Sequence, residues 1–311
     1  MDQKPFVTVI VPVWNSPGLI RTCIAALLAQ DYPADRRRIV VVDNASTDGT
    51  SDAVRAFPEV TLLQEPKPGS YHARNLALDA ILKDGPGDTG RGSMPACDYI
   101  AFTDADCIPA PDWLSKAVAT AERHPGVGVV AGYIDLFRTD AEKGSDKGLI
   151  YEFYERLFSF RQDIGAQKGF CATANWLSPA AVFRELGGFD ASRKSGADGE
   201  MAHKISKSGR PIVYAPDMVV KHPVRGTFQD LAKKRRRLTG GRWNRTRRPG
   251  RVPRMLVYTA YDTARRMKTL LTAPQLSTAM RLKLAGLVVA LSGVAVAELF
   301  RLVVRGEPER A

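Results

Sequence analysis

Cysteine is scarce in this chain: four residues in 311 (Cys23, Cys97, Cys107 and Cys171), none of them in a CxxC pair. That spacing gives neither a disulfide framework nor a cysteine-rich zinc site, and reduced thiols in the cytosol are the economical reading. Internal repeats are lacking too. With 44% hydrophobic and 25% charged residues, disordered and fibrous classes are excluded. The N-terminal apolar run, residues 6–13, has the length of a strand and is interrupted by Thr8 and Pro12, so no signal peptide is expected. Acid is nearly missing from one region. Residues 231–283 hold 16 Lys and Arg against a single acid, Asp262, whereas residues 1–230 hold 26 against 29 and residues 284–311 hold 3 against 3. The net charge of +12 therefore belongs to one late segment. Such a segment seeks phosphate, in anionic lipid or in nucleic acid. Nucleic acid would ask for aromatic side chains interleaved for stacking, and Trp243 stands alone within KKRRR (233–237) and RWNRTRRPGR (242–251). No nucleic-acid partner is expected; a membrane surface is.

What is present is an alternation of strands and helices. FVTVIVPV (6–13) and RIVVVDN (38–44) read as buried strands, and VTLLQE (60–65) and DYIAFTD (98–104) as a third and a fourth strand. Helices are expected over 17–30, opening near Ser46–Asp48, over 69–83, near 112–123, near 146–160, over 177–190 with a glycine stop, and over about 198–208. Extended segments are expected over 127–134 and 211–222, and a Gly/Pro-rich surface loop over 84–97. This spacing implies right-handed crossovers and a mostly parallel sheet with helices on both faces. Ligands then bind at the carboxyl ends of the strands. From 226 to 283 the pattern is helical and cationic, and residues 284–304 are apolar but for Glu298 and Arg301. That last run has the length of a bilayer span, and its two late charges suit equally a helix lying in the interface or one packed on the domain.

Several acidic residues stand where chemistry is done. Asp104 and Asp106 follow the strand YIAFT on one turn. Paired carboxylates there share a divalent cation, though an aspartate-rich turn also caps helices. Asp43 ends the second strand, where it accepts hydrogen bonds from a base or ribose, or merely closes a turn. Asp198 in GADGEMAHKI (196–205) opens a helix; it is either a cap or a general base toward a hydroxyl. His222 in VVKHP is a further ligand for a metal already held by carboxylates, or a structural imidazole.

These segments together resemble glycosyltransferase family 2, with the GT-A fold. The resemblance rests on VTVIVPVWN (7–15), VVDNASTDGT (41–50), KPGSYHARN (67–75), FTDADCIPAPDWL (102–114), GGFD (187–190) and GADGEMAHKI (196–205), in family order over roughly 1–225. It implies an α/β, Rossmann-like GT-A domain over 1–225; charge and hydropathy add a basic helical membrane-proximal segment over 226–283 and an apolar interfacial or transmembrane helix over 284–304. It also implies that Pro12, Val13 and Asp43 line the nucleoside pocket and that Arg74 lies near the diphosphate. Asp104 and Asp106 would be the metal-binding pair, Asp104 also contacting the donor, with His222 as a further metal ligand. Asp198 would be the base of an inverting, hexosyltransferase-type displacement that uses Mn²⁺ or Mg²⁺. The expected donor is a nucleotide sugar, a UDP-sugar first. The expected acceptor is a hydroxyl of a lipid or lipid-linked molecule at the cytoplasmic face of the cell membrane, reached by a peripheral or single-helix anchored enzyme.

The sequence departs from the family pattern in places. The usual Glu-Asp pair reads Ala197-Asp198, Glu200 stands where a second aspartate is common, and Lys204 where arginine is. The Gln-x-x-Arg-Trp of processive synthases reads Thr239-Gly-Gly-Arg242-Trp243, without the glutamine. Transfer of one sugar is therefore expected over polymer synthesis. The alternatives are a processive polysaccharide synthase or a non-catalytic membrane-tethered nucleotide-sugar-binding module.

Overall fold

The computed structural model describes residues 3–82, 97–138, 146–246 and 249–305. The stretch 84–97, read as a loop, lies outside them except for Cys97. Among the described residues, eight strands run in chain order: β1 (Val7–Val13), β2 (Arg37–Asp43), β3 (Val60–Gln64), β4 (Tyr99–Thr103), β5 (Ile108–Pro109), β6 (Val129–Phe137), β7 (Asn175–Pro179) and β8 (Ile212–Pro223). The helices are α1 (Pro17–Leu28), α2 (Thr50–Arg55), α3 (Ser70–Leu82), α4 (Trp113–Arg123), α5 (Asp146–Phe158), α6 (Gln162–Gln167), α7 (Ala180–Leu186), α8 (Ala197–Lys207), α9 (Phe228–Arg245), α10 (Arg251–Thr272) and α11 (Thr278–Arg305). The chain forms two compact units, one of residues 1–135, 161–191 and 197–222, the other of 136–160, 192–196 and 223–311.

One sheet has the order β3-β2-β1-β4-β7-β6-β8-β5. Its first four strands are parallel, as their largely apolar runs imply. The other half is not parallel: β7 runs antiparallel to β4 and β6, and β5 antiparallel to β8. The sheet is thus mixed, half parallel. The reversal enters at β7, because the segment 177–190 is not all helix. Trp176 and Leu177 are buried in the strand, Pro179 keeps an extended backbone, and α7 starts only at Ala180 and stops at Gly187 with φ 76°. The helix expected to open near Ser46–Asp48 begins at Thr50, since Asp48 is spent accepting from the Thr50 amide at 3.0 Å.

In the first unit, Phe102 meets Trp176, Phe183 and Phe189 edge-on at 6.3, 5.5 and 5.4 Å between ring centroids. These pairs fix the order of packing around β4. A polar group holds the antiparallel half. The Asn175 side chain, fully buried, accepts from Trp113 Nε1 at 2.8 Å and donates to the carbonyls of Tyr133 at 2.8 Å and Met218 at 2.9 Å. One amide thus satisfies α4, β6 and β8. Gly132 leaves room for it: a Cβ there would sit 2.4 Å from Asn175 Nδ2 and 2.3 Å from the Met218 carbonyl.

The second unit is helical. Leu231, Leu270, Leu284, Leu287, Val288 and Leu291 form a core with Tyr154. Thr227 caps α9 by accepting from the Asp230 amide at 3.2 Å. Gly241 in α9 lets the segment 192–196 approach, since a Cβ there would meet Ser195 Oγ at 2.4 Å. Buried acids neutralise part of the cationic stretch. Glu155 accepts from Lys234 at 2.7 Å and from the Arg225 side chain at 3.1 Å. Asp262 is ringed by Arg235, Arg265 and Arg266 at 3.0, 3.0 and 2.9 Å. Burial alone would raise both pKa values. Lys234 and Arg225 outweigh it at Glu155, and the arginines outweigh it at Asp262, leaving each at about 2.

Asn175→Leu strands one indole N–H and two carbonyls, so a loss of about 3 kcal/mol is expected, at roughly 1 kcal/mol or more for each stranded group, read as a shift in the denaturant midpoint. A change within about 0.5 kcal/mol would show that the amide does not hold the sheet. The low pKa of Glu155 stabilises the folded chain above the ordinary carboxylate range, and that contribution is lost as pH falls toward about 2. The melting temperature of the wild type should therefore fall more steeply below about pH 4.5 than that of Glu155→Gln; parallel curves would refute the assignment.

Candidate active site

The carboxyl ends of β1, β2 and β4 lie side by side, because the three strands are neighbours and parallel. Val13 is in register with Asp43, and Pro12 with Val42, so both buried residues of β1 flank the Asp43 turn. Asp43 is 1% exposed. It accepts from the Ser46 amide at 3.0 Å and from the Ser51 hydroxyl. Its neighbour Asn44 bridges three backbone groups: it donates to the carbonyls of Glu65 at 3.1 Å and Lys67 at 2.7 Å and accepts from the Gly69 amide at 2.6 Å. That ties the loop before α3 to the end of β2.

The turn after β4 carries the Asp104–Asp106 pair, both side chains about a third exposed at 33%. The backbone folds back there, the Cys107 amide donating to the Asp104 carbonyl at 3.0 Å. The two carboxylates face different partners. Asp104 Oδ1 accepts from Arg74 Nη2 at 2.5 Å, and Arg74 is only 3% exposed. A buried guanidinium paired to a partly exposed carboxylate fixes the latter's direction. Asp106 Oδ2 lies 3.5 Å from His222 Nε2. The pairing of β5 with β8 brings them together, Ile108 opposite Lys221.

Asp106, Cys107 and His222 each offer one ligand atom, all within 4.8 Å of one another. Burial first, then the carboxylates of Asp106 and Asp104, push the Cys107 thiol well above 9, so without a cation it is neutral and a weak ligand. The carboxylate and the buried imidazole are the donors that fit a Mn²⁺- or Mg²⁺-like ion, with further positions left for oxygens of a ligand. Asp104, expected beside Asp106 on the metal, is outside this donor group and is turned to Arg74.

Asp198 lies in the first turn of α8 and accepts from the Tyr71 hydroxyl at 3.1 Å. Burial, and then the negative charge of Asp198, raise the Tyr71 pKa above its ordinary range, so Tyr71 stays protonated and its hydroxyl donates to Asp198. Tyr71 stacks on Phe189 at 5.9 Å and lies 5.7 Å beneath the Arg74 guanidinium. Asp198, Tyr71, Arg74 and Asp104 therefore form one continuous chain of contacts. Tyr71 and Cys107 are the residues that the sequence does not single out. Tyr71 precedes Arg74 by three positions in KPGSYHARN, the spacing of one helix face, which is the signal available for it. Cys107 has none, since only β8 makes it a neighbour of His222.

Residues 8–187 match the family described as glycosyl transferase family 2, and residues 99–304 match glycosyl transferase family group 2. Glycosyltransferase AglE of Haloferax volcanii is 28% identical over 242 residues, 76% of this chain and 73% of that protein. Pre-mycofactocin glycosyltransferase of Mycobacterium tuberculosis is 27% identical over 241 residues, 73% of this chain and 45% of that protein. The chain thus spans less than half the length of the latter. Among solved structures, mannosyltransferase PcManGT from Pyrobaculum calidifontis, in complex with GDP-Man and Mn²⁺, superposes with TM-score 0.62 at 24% identity, covering 96% of this chain and 88% of that one. S. aureus TarS 1-349 in complex with UDP gives TM-score 0.53 at 16% identity, covering 97% and 92%. These structures share the fold.

Asp106→Asn removes the carboxylate of the donor group without changing its shape. It is expected to abolish the stabilisation that Mn²⁺ confers in thermal shift while leaving the melting temperature in chelator unchanged. Retention of the Mn²⁺ shift would place the metal elsewhere.

Proposed function

The chain belongs to glycosyl transferase family 2, and on that premise we propose that it transfers a single sugar from a nucleoside diphosphate sugar to a hydroxyl acceptor, with inversion at the anomeric carbon. The observation that carries this reading is the contact chain from Asp198 through Tyr71 and Arg74 to Asp104, beside the Asp106–His222 donor pair. It joins a candidate base to a candidate diphosphate site on one sheet edge. A divalent cation bound by Asp106 and His222 would offset the charge that builds on the departing diphosphate.

The chain's own groups do the rest. Asp198 accepts the proton of the acceptor hydroxyl as that oxygen bonds to the anomeric carbon. The bond from that carbon to the diphosphate oxygen breaks, and its electron pair leaves with the nucleoside diphosphate. Tyr71, whose hydroxyl donates to Asp198, orients it and keeps one oxygen of it occupied. Arg74 holds Asp104 in place, and Pro12, Val13 and Asp43 form the wall against which the nucleoside lies. A UDP-sugar is the first donor to test, with GDP-sugars beside it.

The acceptor is a lipid or lipid-linked hydroxyl at the cytoplasmic membrane face. The cationic stretch before an apolar helix supports that choice. Single transfer is supported by the missing glutamine of the synthase motif and by the use of its remnant. Arg242 lies 3.3 Å over the Tyr258 ring and Trp243 is buried, both occupied in packing.

Asp198→Asn is expected to cut kcat by on the order of 10²–10⁴ while donor affinity stays within a few-fold. Turnover of a nucleotide sugar in the presence of membrane extract provides the assay. Survival of a tenth of the activity would move the base to Glu200, and donor binding with no turnover in the wild type would make the chain a binding module.

A further inference from the structure

Large apolar side chains are exposed mainly on two helices of the second unit. On α10 these include Val257 and Leu271, and on α11 Leu282, Val289, Phe300 and Val304. The helix α11 is two-sided. One arc, with Leu284, Val288, Leu291 and Leu299, is buried in protein. On the other arc no exposed residue between 284 and 304 carries a charge, and Gly286 and Gly293 stand in open space. Charge complements this. Both acids of the two helices, Asp262 and Glu298, are buried, so every exposed charge on them, such as Arg254, Lys268 and Lys283, is a cation.

Length and hydropathy alone suit α11 to crossing a bilayer. Its neighbours do not. Ser292, near the middle of α11, is hydrogen-bonded to Thr263 of α10 at 2.7 Å. Thr263 adjoins Asp262 with its three arginines. A spanning α11 would draw that arginine cluster to the bilayer midplane, where charged side chains are costly. A helix lying flat keeps the cluster on the water side and leaves the uncharged arc to the lipid.

We infer that α10 and α11 form a monotopic docking face for an anionic lipid surface, with α11 in the plane of the interface and not across it. This deepens the membrane association proposed above and rests on it. The apolar arc enters the headgroup boundary, and Arg254, Lys268 and Lys283 meet anionic headgroups beside it.

The test uses the full chain, in which all four cysteines are buried and shielded from reagent. Thr278→Cys and Arg305→Cys, made separately at the two ends of α11, are bound to preformed phosphatidylcholine–phosphatidylglycerol vesicles. A membrane-impermeant maleimide is then added outside. Labelling of both variants is expected; protection of either on vesicle-bound protein means that α11 crosses, and overturns the inference. Phe300→Glu should weaken vesicle binding about tenfold or more without changing the melting temperature. Unchanged binding would overturn the inference, as would a chain that ignores vesicles and instead forms a dimer broken by this substitution. Nucleotide-sugar turnover in detergent tests the catalytic reading separately, so failure of the docking face and failure of the enzyme assignment are distinguishable.

Discussion

The buried amide of Asn175 is the constraint on which the candidate site depends. It joins α4, β6 and β8 through three hydrogen bonds of 2.8–2.9 Å. Without it the carbonyls of Tyr133 and Met218 would be buried and unpaired, which costs more than a surface hydrogen bond returns. The position of β8 decides where His222 stands. His222 is four residues beyond Met218, whose carbonyl the amide holds, and one beyond Lys221, which pairs with Ile108. The imidazole therefore reaches Asp106 because an asparagine some distance away in sequence fixes the strand that carries it.

Electrostatics then divides the labour of the two aspartates on one turn. Their side chains are equally exposed, yet a buried guanidinium takes Asp104 and a buried imidazole stands by Asp106. An alternation of two residues turns like groups toward unlike partners. The same separation explains why one sheet edge offers both a carboxylate beside an imidazole and one already paired with a fixed positive charge.

The legibility of the sequence follows the range of the interactions. The parallel half of the sheet was readable because β1, β2 and β4 are mostly apolar and largely buried. The antiparallel half was not, because β7 has five residues and runs directly into α7, so a helical pattern absorbed its end. Aspartates at strand ends were legible as candidates from type and place. Their partners were only partly so. Asp198 and Tyr71 are 127 residues apart, and no local pattern joins them. The placing of 136–160 and 192–196 with the C-terminal helices was likewise hidden, since it rests on buried pairs such as Glu155 with Lys234.

That pairing has a temporal side. Glu155 and Lys234 are separated by 79 positions, and Arg225 by 70. At ~5–20 residues per second on the ribosome, α5 emerges roughly 4–16 seconds before the cation that will neutralise its buried carboxylate. During that interval Glu155 stays hydrated, and burying its helix early would strand a charge. The helical unit thus closes late in synthesis, after the strands of the sheet have been made, and its own acid delays it until the basic stretch arrives.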